Sequence, residues 1–245
     1  MRQLSAEVID RAKKEGRAAL VAYIPVGFPS FEGTVEAVRA LVGSGVDAIE
    51  FGIPYTDPVM DGPVIQEAAD LALAQGTRPV DVMRAIDSLN DLDAALLVMS
   101  YYNPILKYGL EAFARDLAAA GGAGVITPDL TPDSGGEWIA ASRAHGVERI
   151  FLAAPSSPEK RLRLVTKSST GFVYAASTMG VTGLRSSVGQ AARTLVERTR
   201  DAGAERVCVG LGVSNGAQAA EVGAYADGVI VGSAFVRRLL EAQTP

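Results

Sequence analysis

The chain has 245 residues, 48% of them apolar and 21% charged, the balance of a globular protein with a large core and not of a disordered one. Its net charge of −5 and pI near 5.0 argue against a nucleic-acid or anionic-membrane partner. A single cysteine, Cys208, excludes an intrachain disulfide, and a single histidine, His145, excludes a metal site built on several histidines.

Residues 1–17 are charged and mixed, without the apolar core of a signal segment, and no apolar run approaches the roughly 18 residues of a membrane span, so the sequence reads as a soluble cytoplasmic protein. Short apolar runs then alternate with longer amphipathic ones. Residues 5–15 read as a lid helix capped by Ser5 and stopped by Gly16. A first strand is expected at 18–24, a tight loop at 25–30, and a helix from Ser30 to about 43–45. The second strand is 48–51, followed by helices at 64–74 and 79–90. The third strand (94–99) leads to a helix at 109–120, and the fourth (124–127) to one at 133–144. The fifth strand (149–153) precedes a helix capped by Ser157 and running to about Lys167. The sixth strand (171–176), a Gly-rich loop and a helix at 188–201 come next. The seventh strand (206–209) and helix 214–222 precede the eighth strand (227–231) and a last helix at 233–242.

These are eight strand–helix units with near-continuous Val/Ile/Ala strands, the pattern of parallel strands buried on both faces. No linker divides the chain. The expected fold is α/β: a single-domain (β/α)8 TIM barrel over residues 1–245 with an extra N-terminal helix, an open doubly wound sheet being the alternative. A barrel puts its chemistry in the loops at the C-terminal ends of the strands.

One such loop carries acids. In Ala48-Ile49-Glu50-Phe51, alternation puts Glu50 on the face opposite Ile49 and Phe51, and an unpaired buried carboxylate needs a partner or a task. Asp61 follows just before Gly62-Pro63 and a helix start, where the loop can return it over the strand end. Two carboxylates at one mouth suit acid–base chemistry. Plainer readings are a strand acid paired to an arginine for Glu50, a helix cap for Asp61, a loop hydrogen bond for Asp57, and packing for Tyr174, Trp138 and Cys208. His145 lies on a turn at the opposite face. Three late loops are Gly-rich: 178–183, Gly210-Leu211-Gly212-Val213-Ser214, and Gly232-Ser233-Ala234, where Ser233 would cap the last helix. Glycine lets backbone N–H groups approach an anion, and barrels often hold a phosphate after strands seven and eight. None of the five lysines lies in an expected strand, which disfavours a Schiff base in the barrel core.

The segment from Glu50 through Ile53-Pro54-Tyr55-Thr56-Asp57-Pro58 to Asp61-Gly62-Pro63 resembles the signature of the tryptophan synthase α subunit family. So do Tyr101-Tyr102-Asn103-Pro104, Gly180-Val181-Thr182-Gly183, Gly210-Leu211-Gly212 and Gly232-Ser233-Ala234, in order along nearly the whole chain. The resemblance implies a barrel that cleaves indole-3-glycerol phosphate to indole and glyceraldehyde 3-phosphate. It implies no cofactor in this chain, and a PLP-bearing β subunit that receives the indole in a heterotetramer of two alpha and two beta chains. It further implies Glu50 and Asp61 as catalytic residues and Tyr23, Met99, Tyr101, Ile126, Tyr174 and Thr182 as the substrate pocket. Gly183, Gly212, Gly232 and Ser233 match its phosphate site, the 54–60 loop its β-subunit contact, and residues 178–187 its lid. Departures stand at Phe28, Thr131 and Met179, where other members carry Asp, Pro and a basic residue. Rival readings are a phosphosugar isomerase or epimerase on the same fold, and a non-catalytic activator of another subunit.

Overall fold

The computed structural model describes residues 2–176, 189–210 and 212–242. Helix α1 (Ser5–Lys14) precedes β1 (Ala19–Pro25), α2 (Phe31–Gly43), β2 (Ala48–Gly52), α3 (Pro63–Ala74), α4 (Pro79–Asp87) and β3 (Ala95–Met99). Then come α5 (Tyr102–Tyr108), α6 (Leu110–Ala120), β4 (Gly124–Ile126), α7 (Gly136–Ala144), β5 (Glu148–Ile150) and β6 (Leu152–Ala153). The chain continues with α8 (Glu159–Ser168), β7 (Val173–Ala176), α9 (Gly189–Asp201), β8 (Val207–Gly210), α10 (Gly216–Gly223), β9 (Gly228–Val231) and α11 (Ser233–Glu241). Among the described residues no helix is long and apolar enough to cross a membrane.

Every strand pair is parallel, in the order β5-β4-β3-β2-β1-β9-β8-β7-β6. The two ends of that order are joined by one residue, Phe151, so the sheet closes on itself as the expected (β/α)8 barrel. The fifth strand is therefore divided: its first part pairs with β4 and its second with β7. Staggered strands in a barrel do not face both neighbours along their whole length. The exchange of partner falls at Phe151, whose carbonyl accepts the Tyr174 N–H at 3.1 Å.

Side-chain alternation sorts the strands into two cores. Ile49, Phe51, Leu96, Val98 and Val125 face outward into the helix layer. Val21, Ala48, Leu97, Ile126, Cys208 and Ile230 face inward and fill the barrel. Val8, Ile9 and Ala12 of α1 join this inner cluster, so α1 plugs the N-terminal mouth and leaves the C-terminal mouth open. Its start differs from expectation: Ser5 is the first helical residue, not the cap. The N–H groups of Ser5 and Ala6, which have no acceptor within the helix, are taken by the Glu148 carboxylate at 2.9 and 3.3 Å.

Two other caps also move. Ser157 does not cap α8: its hydroxyl accepts the Ala154 N–H at 3.1 Å, because Pro158 takes the capping position. Gly232, not Ser233, is the capping residue of α11. Helix α5 was not among the expected elements; Pro104 falls in its first turn, where a missing N–H costs nothing. Trp138 is fully buried, and His145 ends α7, 2.6 Å from Glu111.

Candidate active site

Strand β2 sends Glu50 inward, where only 1% of it is exposed. Its Oε1 has no hydrogen-bond partner, and no ion pair reaches it among the described residues. The arginine-paired reading therefore finds no support there. Burial pushes the Glu50 carboxyl up to about 8, so it is mostly protonated at neutral pH.

Asp61 ends the loop after β2. Gly62 takes the capping position of α3 and Pro63 the first helical one, so the Asp61 carboxylate is not used as a cap. It accepts the Tyr101 hydroxyl at 2.9 Å, and that hydroxyl accepts the Met60 N–H at 2.9 Å. Tyr101 thus pins the loop to the end of β3. Burial raises the Asp61 pKa, and the Tyr101 hydrogen bond partly opposes this. The Tyr101 ring is tilted against Tyr55 at 5.6 Å, and the Tyr55 hydroxyl accepts Asn103 Nδ2 at 3.0 Å. Asp57 bonds Thr56 at the exposed tip of the loop.

Two tyrosines lie across neighbouring strands. Tyr23 is in register with Glu50, and its ring leans over Gly52, two residues on and on the same face. A methyl group on Gly52 would overlap the Tyr23 hydroxyl and fall 2.6 Å from its Cζ. Tyr174 is in register with Cys208 and leans over Gly210 likewise, where a methyl group would fall 2.5 Å from its Cζ. Only glycine at strand positions 52 and 210 admits these rings.

Across the mouth, Gly212 adopts φ +113°, a backbone that L side chains rarely take. Gly232 and Ser233 open α11, and no side chain among the described residues caps that helix. Its first N–H groups and positive dipole end therefore face the cleft, ready for an anion.

These residues meet at one cleft, with about 500 Å³ of empty space when the part open to solvent is included. Tyr23, Glu50, Asp61, Met99 and Tyr174 form one part of its wall, and Gly212, Gly232 and Ser233 another. Tyr101 and Ile126 do not line it: Tyr101 acts on Asp61 from behind, and Ile126 is fully buried beside Met99 in the β3–β4 register. Thr182, Gly183 and the expected lid at 178–187 lie outside the described residues. Ile65, Val213 and Ile230 also line the cleft and were not singled out. Period-2 alternation from Gly232 back to Ile230 was the available signal for one of them.

The sequence model of the family described as "Tryptophan synthase alpha chain" matches residues 9–245. The tryptophan synthase alpha chain of Thermobifida fusca is 60% identical over 235 residues, covering 94% of this chain and 87% of that one. That of Leifsonia xyli is 56% identical over 235 residues, covering 96% and 90%. The structure of Mycobacterium tuberculosis tryptophan synthase superposes with a TM-score of 0.93 at 51% identity, covering 99% of this chain and 93% of that chain. A crystal structure of a tryptophan synthase complex from Pyrococcus furiosus superposes at 0.83 with 31% identity, covering 92% and 91%.

Proposed function

The chain belongs to the tryptophan synthase alpha chain family, and from that premise we propose that Glu50 and Asp61 carry its reaction in this cleft. The reaction is the retro-aldol cleavage of indole-3-glycerol phosphate to indole and glyceraldehyde 3-phosphate, a carbon–carbon lyase step of tryptophan biosynthesis. The observation that carries the assignment is Glu50: a buried carboxyl whose Oε1 has no hydrogen-bond partner among the described residues, held up to about 8, in the wall of a cleft that ends in an anion cradle.

A retro-aldol step needs an electron sink, and the indole ring protonated at C3 is one. Glu50, neutral at pH 7, gives that proton. Asp61 holds the indole N–H and stabilises the positive ring. Glu50, now a carboxylate, then takes the proton of the glycerol hydroxyl as the carbon–carbon bond breaks. The bonding pair returns to the ring, and the proton count closes. Gly212, Gly232 and Ser233, with Gly183, would hold the phosphate. Tyr23, Met99, Tyr101, Ile126, Tyr174 and Thr182 are assigned to the substrate pocket, with Tyr101 and Ile126 acting from behind its wall.

The apolar and aromatic wall favours an indole over a bare sugar, against the isomerase reading. The 54–60 loop, exposed at Thr56, Asp57 and Val59, is assigned to contact with a PLP-bearing β subunit in a heterotetramer of two alpha and two beta chains. This chain would carry no cofactor and work in the cytoplasm as one catalytic domain over residues 1–245. The test is indole release by the wild type and Glu50→Gln, with and without the β subunit. Turnover should fall about 10²–10⁴-fold in the variant while glycerol 3-phosphate still binds. Near-normal turnover would end the assignment.

A further inference from the structure

Tyr23 touches both ends of the cleft. A Cβ built on Gly232 would lie 3.4 Å from the Tyr23 Cβ, and one built on Gly52 would overlap the Tyr23 hydroxyl. Gly232 belongs to the anion cradle, and Gly52 follows Glu50 by two residues on the same strand face. The ring therefore runs from the phosphate end to the acid end, and its hydroxyl is at the acid end.

Tyr23 lines the cleft, and its hydroxyl makes no hydrogen bond among the described residues, whereas the Tyr101 hydroxyl makes two. Burial, with Asp61, Tyr101, Glu50 and Tyr174 nearby, pushes the Tyr23 phenol well above its ordinary value, so it stays a neutral donor. The Tyr174 hydroxyl differs: it sits over Gly210 and is faced by Glu50 and the Cys208 thiol but not by Asp61.

Lengths match as well. Phosphorus and the scissile carbon of indole-3-glycerol phosphate are separated by one ester oxygen and two carbons, about 5 Å at ~1.5 Å per bond along a zigzag. A tyrosine reaches about 6 Å from Cβ to its oxygen on the same count. With the phosphate seated beside Gly232, the Tyr23 hydroxyl comes level with the carbon whose bond to the indole breaks.

We propose that the Tyr23 hydroxyl hydrogen-bonds the substrate hydroxyl on that carbon and stabilises its oxygen as the proton leaves for Glu50. In this step the substrate O–H and C–C bonds break and a C=O bond forms. The proton goes to the Glu50 carboxylate and the carbon–carbon pair goes to the protonated indole ring. Tyr23 keeps its own proton throughout. The proposal rests on the cleavage reading given above, and it gives Tyr23 a polar task beyond that of an aromatic wall.

The test uses the full chain with Tyr23→Phe, which keeps the ring and loses only the hydroxyl. A donor that tightens on an oxygen gaining negative charge supports about a tenfold fall in kcat with KM within twofold of wild type. Affinity for 3-indolylpropyl phosphate, which has the ring and phosphate but neither glycerol hydroxyl, should be unchanged. That measurement also reports that the variant's site is folded. A kcat within twofold of wild type would overturn the proposal, as would a parallel loss of affinity for the hydroxyl-free analogue. If the wild type itself released no indole, the cleavage reading would fall first and this proposal with it.

Discussion

Glu50→Gln makes a prediction about stability that is separate from turnover. Burial raises the Glu50 pKa from 4.5 to about 8. The folded protein thus binds this proton more tightly than the unfolded chain does. The associated stability is complete below the unfolded value and is lost as the pH rises through about 8. At about 1.4 kcal/mol per pH unit between the two values, the ionised carboxylate costs the folded state about 5 kcal/mol. Nearly all of that loss, about 4 kcal/mol, falls between roughly pH 5 and pH 9. Gln has the same shape and no charge at any pH, so its stability lacks this component. Any fixed difference in hydrogen bonding between Gln and the neutral acid is the same at both pH values. The assay is thermal unfolding of both proteins across that range. The advantage of Glu50→Gln should grow by about 8–16 °C from pH 5 to pH 9, using about 2–4 °C per kcal/mol for a chain of this size. A difference independent of pH, or one that moves in the wild type's favour as the pH rises, would mean that the folded state does not hold the Glu50 proton more tightly than the unfolded chain. The account of Glu50 as the proton donor would then be lost.

Three further outcomes follow from other contacts. Tyr101→Phe removes the donor that opposes the raised pKa of Asp61 and leaves the Met60 N–H unpaired; the acid limb of a kcat/KM–pH profile should move to higher pH, and an unmoved limb would refute this. Gly212→Ala forces a side chain onto φ +113°, so calorimetry should find glycerol 3-phosphate bound about tenfold more weakly, at a strain of about 1–2 kcal/mol. Glu148→Ala strips the Ser5 and Ala6 N–H groups of their acceptor; α1 should loosen by about 1–3 kcal/mol and tryptic cleavage at Lys13 and Lys14 should speed up, while phosphate-ligand affinity holds.

Much of the fold was legible because it is written in local pattern. Eight apolar runs separated by amphipathic ones specify strands and covering helices, and Glu50 between Ile49 and Phe51 is placed inward by alternation alone. The parts that were missed depend on partners distant in sequence. The division of the fifth strand at Phe151 follows from which strand lies on each side, and residues 149–153 carry no trace of it. Ser5 looked like a cap because Glu148, more than a hundred residues on, does that work. Helix α5 has only seven residues and holds Pro104 in its first turn, too short a stretch for helical periodicity to declare.

Register is the deepest of these, and it changes what the strand-end glycines mean. Gly52 and Gly210 read as the beginnings of loops, yet both are strand residues. Each lies two positions beyond the partner of a tyrosine on the neighbouring strand: Tyr23 opposite Glu50, and Tyr174 opposite Cys208. Their missing side chains therefore serve close approach and not chain reversal, whereas Gly212, with its positive φ, does serve the loop. The same two glycines fix how far each ring leans, and so where each hydroxyl stands relative to Glu50. A site built on two acids alone would tolerate alanine at both strand positions. One in which the rings set the substrate's place would not, because displacing either ring moves a wall of the cleft while leaving Glu50 where it is.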